Sequence, residues 1–210
     1  MACAPAFAAS VMPRIAAAYT KAFPGVFLSV NSRVAHHVAA LVSARKADIG
    51  FALDVPPVPG VNSVVIGEMP LCCYLPAGHP LAASDVVLPS DVIDEPFISL
   101  SSVEGVEELV ERAFEARGNT PVAVAECPAA IAACGMVAAG MGFTLFDGLP
   151  ARVLDRAQVV AVPFESTCRL TYRAYWAKSK SSDFDPDPLI ALAQAELAEV
   201  VAATQNRDKR

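Results

Sequence analysis

The pattern of apolar and polar residues changes its period repeatedly along the chain, from three or four residues to two and back again. Stretches with the longer period predict helices, and the short apolar or alternating runs between them predict strands. The predicted helices cover residues 9–23, 33–46, 89–92, 103–117, 128–140 and 187–203. The predicted strands cover residues 26–30, 47–53, 63–68, 70–76, 96–100, 122–126, 142–146, 158–162 and 168–177. With the first residues taken as the end of a further strand, the β-α-β-α-β order predicts right-handed crossovers and an α/β fold with a largely parallel sheet.

Local signals mark both ends of the first predicted helix. Ser10 is a suitable N-cap and Pro13 suits the first turn, whereas Pro24 and Gly25 stop the helix. Because the residues before this helix have the pattern of the last part of a strand, we expect the sequence to begin inside a longer protein.

Loops that follow strands are the first candidates for a binding site, because ligands of parallel α/β sheets bind beyond the carboxyl ends of the strands. Asn31, Ser32 and Arg33 lie where a predicted strand gives way to a helix N-terminus, whose N–H groups favour an anion such as a carboxylate. Ser32 is equally well placed to cap the helix. Arg33 can donate two hydrogen bonds to a carboxylate, or it can be a solvated residue of the first turn.

Polar residues also follow the predicted strands of the second half. Ser99 and Ser101 are candidates for ligand contact, whereas Ser102 is placed to cap the next helix. Glu126 can bind an amino or guanidinium group, or it can complement the dipole of the helix that follows. Asp54 and Asp147 carry the same two interpretations. One positive and several negative groups suit a zwitterion or a cationic amino acid better than a nucleotide or a sugar.

Composition and charge limit the class of protein. The 210 residues suit one domain or two small lobes, and the net charge of -6, without a basic stripe, does not suit a chain that binds DNA by itself. The sequence has no GxSxG, HExxH, P-loop or GxGxxG motif, so we expect neither an enzyme nor a cofactor. It has no signal-peptide pattern and no apolar stretch of roughly 20 residues, so we expect a cytoplasmic protein without a membrane span.

The six cysteines form no CxxC pair and have no histidine at metal-ligand spacing, so we expect no metal site. We interpret them as small buried apolar residues in a reducing compartment. The alternative is a redox sensor, for which Cys127 is the one cysteine predicted near a loop.

Four blocks of sequence resemble the effector-binding domain of LysR-type transcriptional regulators, in the right order and spacing, over residues 3–203. They are APAFAASVMPRIAAAYTKAFPGVFLSV, LVSARKADIGFAL with Asp48 as its marker, MPLCCYLPAGHPLA, and MVAAGMGFTLF. The resemblance implies a periplasmic-binding-protein type 2-like fold, in which two α/β lobes are joined by two crossover strands and the effector sits between them. Lobe I would comprise residues 1–75 and 170–210, and lobe II residues 76–169. The effector contacts implied by the resemblance are Pro5, Ala6, Phe7, Asn31, Ser32, Ser99, Ser101, Glu126 and Phe143.

The resemblance also implies partners. Members of this family pair side by side and antiparallel, which would bring residues 9–23 of one chain near residues 103–117 of its mate, and full-length members form tetramers. They bind DNA through an N-terminal winged helix-turn-helix, of which this sequence contains no residue, so we expect this chain to bind effector but not DNA.

The sequence departs from the family in its first turn, where Pro5 to Ala8 replace a common Ser or Thr. The segments PFISL and AECPAAIAACGMVAAG are more similar to the subgroup that senses amino acids and opines than to sensors of aromatic acids. Two alternatives share the fold: a solute-binding protein of a transporter, and an enzyme such as a dehydratase.

Overall fold

The structure is a computed structural model that describes residues 1–100, 105–114, 120–178 and 184–205. In these ranges the strands are Ala2–Cys3 (β1), Asn31–Ser32 (β2), Ile49–Leu53 (β3), Val61–Pro70 (β4), Cys72–Pro76 (β5), Phe97–Ser99 (β6), Ala123–Glu126 (β7), Thr144–Phe146 (β8), Val159–Pro163 (β9) and Arg169–Ala177 (β10). The α-helices are Pro5–Ser10 (α1), Met12–Ala22 (α2), Ala35–Ser43 (α3), Pro89–Val92 (α4), Val106–Phe114 (α5), Ala130–Ala138 (α6) and Asp187–Gln205 (α7). Short 3₁₀ helices lie at Pro80–Ala83 and Pro150–Arg152.

The chain divides into two compact units. The first comprises Met1–Glu68 and Thr171–Glu199, and the second comprises Met69–Leu170 and the residues from Val200 onwards. The boundary therefore falls within β4, within β10 and within α7.

The first unit is built on a five-stranded sheet with the order β2-β1-β3-β10-β4. β1 runs parallel to β2 and β3, whereas β10 is antiparallel to β3. On one face, the rings of Phe7 and Phe51 stack with centroids 5.2 Å apart, and Tyr172 packs beside them. On the other face, a side chain at Gly50 would collide with Val38, so glycine allows α3 to approach the sheet closely.

The second unit contains a three-stranded antiparallel sheet with the order β8-β5-β9 and the parallel pair β6-β7. A bridge between Phe97 and Phe143 connects β6 to the start of β8. Tyr74, in the central strand, is fully buried and donates a hydrogen bond to the carbonyl oxygen of Asp147 at 2.5 Å. The aromatic ring of Tyr74 is therefore packed in the core while its hydroxyl keeps a hydrogen-bond partner.

The predicted strand over residues 26–30 is wrong, because the strand at this place covers only Asn31–Ser32. Its neighbour β1 offers only Ala2 and Cys3 for pairing. Residues 26–30 therefore alternate without a neighbouring ladder, and Phe27 is 90% exposed.

The single helix predicted over residues 9–23 is also wrong, because α1 and α2 replace it. Ser10 is not an N-cap: it is the last residue of α1 and is buried, and its hydroxyl donates to the carbonyl of Ala6 at 2.6 Å. The other predicted elements are present with bounds that differ by a few residues, and Ser102, the predicted cap of α5, lies outside the described residues.

Candidate functional site

The carboxyl ends of three strands lie side by side in the first unit. Cys3 of β1 is in register with Ser32 of β2 and with Phe51 of β3. Two hydrogen bonds extend this alignment past the strands: the Arg33 N–H donates to the Cys3 carbonyl at 3.0 Å, and the Ala4 N–H donates to the Phe51 carbonyl at 2.9 Å. The first turn of α1 and residues 31–33 therefore share one edge of the sheet.

The first turn of α1 comprises three of the predicted contact residues, Pro5, Ala6 and Phe7. Pro5 suits the first helical position because its ring fixes φ and its missing N–H would have no helical partner there. The N–H groups of Ala6 and Phe7 belong to the turn whose donors have no acceptor inside the helix. Phe7 is fully buried and its ring stacks on Phe51, so its side chain belongs to the core and not to a ligand surface.

The second predicted set, Asn31, Ser32 and Arg33, is exposed. The interpretation of Ser32 as a helix cap is wrong, because Val34 is the N-cap of α3 and no side chain caps that helix. The Arg33 guanidinium donates to the Ser32 carbonyl through Nη1 at 2.6 Å. This contact holds the positive charge close to the strand end.

Ser99 and Glu126 form a second strand-end pair, in the second unit. They are in register in the parallel pair β6-β7, and the Cys127 N–H donates to the Ser99 carbonyl at 2.9 Å. Ser99 is buried, whereas Glu126 is exposed. Glu126 stands four residues before the first residue of α6, beyond the first turn where the helix dipole acts most strongly.

The remaining predicted residues are Phe143 and Ser101. Phe143 is buried, and its ring lies 5.1 Å from that of Phe97. Its N–H donates to the Pro96 carbonyl, and its carbonyl accepts from the Ile98 N–H at 2.8 Å. Phe143 is therefore part of the packing and hydrogen bonding of the second unit. Ser101 lies outside the described residues.

A pocket of about 470 Å³ lies in the first unit, beside the loop that follows β3. Its charged residues are Asp54 and Arg173, with Arg173 Nε 2.8 Å from Asp54 Oδ1. Arg173 also donates through Nη1 to the Ser63 hydroxyl at 3.4 Å. The sequence analysis considered Asp54 but missed Arg173, whose signal was a charged residue in the otherwise uncharged middle of the strand segment LTYRAYW.

All six cysteines are free thiols, and Cys168 is the one that is not buried. Burial raises the pKa of Cys3 and of Cys134 to about 12, which keeps both thiols protonated and poorly nucleophilic. In the part of the chain that the structure describes, no group of three His, Cys, Asp or Glu side chains is arranged to hold a metal ion. No helix in the described ranges has the length and apolar character needed to cross a membrane.

A comparison of the sequence with known protein families shows which family this chain belongs to. Residues 1–198 match the family described as LysR substrate binding domain. The chain belongs to this family. This LysR substrate-binding domain is 28% identical over 170 residues to the transcriptional activator protein LysR of Escherichia coli (strain K12), and the match covers 78% of this chain and 55% of that protein. The domain therefore spans about half the length of this curated relative.

Solved structures show the same fold. A LysR family regulator from Pseudomonas aeruginosa, PA01, superposes with a TM-score of 0.80 at 22% identity, over 93% of this chain and 69% of that one. The BenM effector binding domain, solved with its effector benzoate, superposes with a TM-score of 0.74 at 18% identity, over 96% of this chain and 90% of that one. The predicted α/β, periplasmic-binding-protein type 2-like fold is confirmed for this LysR substrate-binding domain.

Proposed function

We propose that this domain is the effector-binding part of a transcriptional regulator, in which binding of a small molecule changes the activity of a DNA-binding domain elsewhere in a longer protein. The observation that carries the proposal is the family match over residues 1–198. The named relatives are regulators, which supports binding rather than catalysis as the role of the domain. An effector acts by its difference in affinity for two states of the protein.

We infer that the effector carries a carboxylate and an amino group. In the first unit, exposed Arg33 and the first turn of α1 offer positive charge and N–H donors to a carboxylate. In the second unit, the exposed carboxylate of Glu126 and the strand end at Ser99 suit an amino group. The proposed contacts are Pro5, Ala6, Phe7, Asn31, Ser32, Arg33, Ser99, Ser101, Glu126 and Phe143, with Phe7 and Phe143 acting through their backbone or as supports.

A thermal-shift screen tests the effector class, because a ligand that binds only the folded state stabilises it by mass action, by about 2.7 kcal/mol at 100 times Kd. The ligands are amino acids, opine-like conjugates, aromatic acids and sugar phosphates. We expect a selective shift with ligands that carry a carboxylate and an amine, lost in Arg33→Ala and in Glu126→Gln. Lys46→Ala and Asp85→Asn remove exposed charges outside the proposed contacts and should keep the shift. A shift only with aromatic acids or sugar phosphates would contradict the proposed class.

We also propose that the domain forms a homodimer. Exposed apolar residues lie next to edge strand β2 at Phe27 and next to edge strand β7 at Val122, which are 90% and 77% exposed. The exposed surface of α2 carries Arg14 and Lys21, and that of α5 carries Arg112 with Glu107, Glu108 and Glu111. The two exposed surfaces therefore have opposite net charge. This supports the antiparallel pairing of residues 9–23 with residues 103–117 of a mate.

Light scattering after size-exclusion chromatography tests the dimer. Phe27→Asp should shift the domain toward the monomer, because it places a charge in the proposed apolar contact. Val153→Asp is the matched control, since Val153 is an exposed valine outside β2, β7 and the two helices proposed to pair. A wild-type domain that stays strictly monomeric at high concentration would refute the proposal.

We further infer that the protein acts in a reducing compartment such as the cytoplasm. The six thiols are unpaired, and five of them are buried as small apolar residues. Such cysteines are typical of proteins that are kept reduced. Mass spectrometry after alkylation of protein drawn directly from cells should find six alkylated cysteines, and oxidised pairs would contradict the inference.

A further inference from the structure

The pocket beside the loop after β3 contains none of the residues proposed above to contact the effector. It is lined by Asp54, Val55, Pro56, Pro57, Val58, Val61, Ser63, Arg173 and Tyr175, all of which belong to the first unit. Its volume of about 470 Å³ falls within the roughly 300–1,000 Å³ typical of small-molecule sites.

The loop that forms the wall of this pocket, residues 54–59, is held by hydrogen bonds at both ends. The Asp54 N–H donates to the Thr171 carbonyl at 2.9 Å, and the Val55 N–H donates to the Tyr175 hydroxyl at 3.2 Å. At the other end, the Ser43 hydroxyl donates to the Pro59 carbonyl at 3.2 Å. Prolines at positions 56, 57 and 59 restrict the backbone further. The wall is therefore held in place before any ligand arrives, which lowers the entropy lost on binding.

The charged floor of the pocket has unused hydrogen-bonding capacity. A guanidinium has five N–H donors. Arg173 directs Nη1 to Ser63, and its Nε lies against the Asp54 carboxylate without the alignment of a hydrogen bond. Its other N–H groups have no protein partner among the residues that the structure describes. Those donors lie on the guanidinium fork that suits a planar carboxylate.

The balance of charge in the pocket indicates what kind of ligand it accepts. Arg173 and Asp54 neutralise each other, so a bound anion or cation would leave a net charge in a partly buried site. A bound zwitterion adds no net charge to the site, because its carboxylate can face Arg173 while its ammonium group faces the half-exposed Asp54. The valine and proline side chains of the wall suit a short aliphatic group.

We propose that this pocket is a second ligand site, which binds a short aliphatic α-amino acid. The Arg173 guanidinium holds its carboxylate, Asp54 holds its ammonium group, and the wall of residues 55–58 and Val61 covers its side chain.

Titration of the ¹⁵N-labelled domain with L-valine and L-leucine tests the proposal through the amide signals of Val55, Ser63 and Arg173. We expect saturable shifts of these signals. Isovalerate, which lacks the amine, and isobutylamine, which lacks the carboxylate, should bind at least tenfold more weakly. Arg173→Met and Asp54→Asn should each raise Kd at least tenfold, and Asp54→Asn changes an exposed side chain that the fold does not bury.

Two controls separate this site from other effects. Arg14→Met breaks the ion pair of exposed Arg14 with Glu196 elsewhere in the same unit and should leave Kd unchanged. Arg33→Ala should also leave it unchanged, although it removes a residue proposed for the effector site. The proposal is overturned if neither amino acid gives a saturable shift, or if Arg173→Met and Asp54→Asn bind as the wild type does. It is also overturned if the shifts centre on residues 31–33, because the ligand would then occupy the strand ends.

Discussion

Replacement of Gly142 by alanine tests whether the close approach between β6 and the start of β8 depends on the absence of a side chain. Gly142 has a φ of +133°, in a region that residues with a Cβ rarely adopt. A Cβ built there would collide with the backbone carbonyl of Pro96, which cannot swing away like the end of a flexible side chain. The same Pro96 carbonyl accepts the hydrogen bond from the Phe143 N–H.

The expected loss has two parts. A strained backbone costs about 1–3 kcal/mol, and a forced shift of well-packed atoms costs a further ~1–3 kcal/mol. We therefore expect Gly142→Ala to lower the free energy of unfolding by about 4 kcal/mol. For a domain of this size that corresponds to a fall in Tm of roughly 8–16 °C.

Two nearby glycines provide matched controls. Gly140 follows α6 with a φ of +81°, and no atom lies within 4 Å of the position that a Cβ would occupy there, so Gly140→Ala should cost only the ~1–2 kcal/mol of the left-handed backbone. Gly135 lies inside α6 with open space around it, so Gly135→Ala should stabilise the domain by about 0.5–1 kcal/mol. Urea unfolding followed by circular dichroism measures all three. Equal losses for Gly142→Ala and Gly140→Ala would refute the role assigned to the Pro96 carbonyl.

Three further predictions concern stability. The folded-state pKa values of Cys3 and Cys134 are raised to about 12 from 9.0. Their contribution to the free energy of unfolding is therefore complete below pH 9. It is lost as the pH rises toward 12, at about 1.4 kcal/mol per pH unit for each thiol, because only the unfolded chain releases these protons. Between pH 9 and 12, the free energy of unfolding should fall less steeply with pH in the double variant Cys3→Ala, Cys134→Ala than in the wild type. Cys168→Ala should not reduce this slope. Phe7→Ala should lower the free energy of unfolding by about 3–5 kcal/mol because it empties a fully buried site, and a loss below 1 kcal/mol in urea would contradict that packing. Arg14→Ala should cost about 1 kcal/mol, because Arg14 and Glu199 are exposed and only Glu196 is largely buried; a loss that persists undiminished in high salt would argue against this.

The fold class and most of the elements could be predicted from the sequence because helix and strand periodicity are local. The strand predicted over residues 26–30 failed for a reason that is not local: a strand needs a neighbouring ladder, and β1 pairs only at Ala2 and Cys3. Ser10 shows the same limit, since a serine near a helix end can cap one helix or bond back to the preceding turn of another.

The sequence could predict where some of the candidate residues lie in the fold, whereas their contact with an effector stays a prediction. Arg33 directly follows β2 and Glu126 is the last residue of β7, and both are exposed. Phe7 was predicted to contact the effector from the first turn of α1, but its side chain is buried. The sequence could not show this, because an apolar residue beside a loop can pack in the core or contact a ligand. The pocket could not be predicted, since Arg173 and Ser63 are 110 residues apart and no local pattern joins them.

The strand order of the first unit has a consequence for the way this protein is made. β10 lies between β3 and β4 in the finished sheet, although most of β10 follows the segment Met69–Leu170 in the chain. On a ribosome, which delivers the chain from its N-terminus, that segment is complete while the sheet of the first unit still lacks the strand between β3 and β4. Most of the second unit is therefore synthesised before β10 is complete, whereas its last part, from Val200 onwards, follows β10. Until β10 emerges, the nascent first unit exposes unpaired backbone edges of β3 and β4.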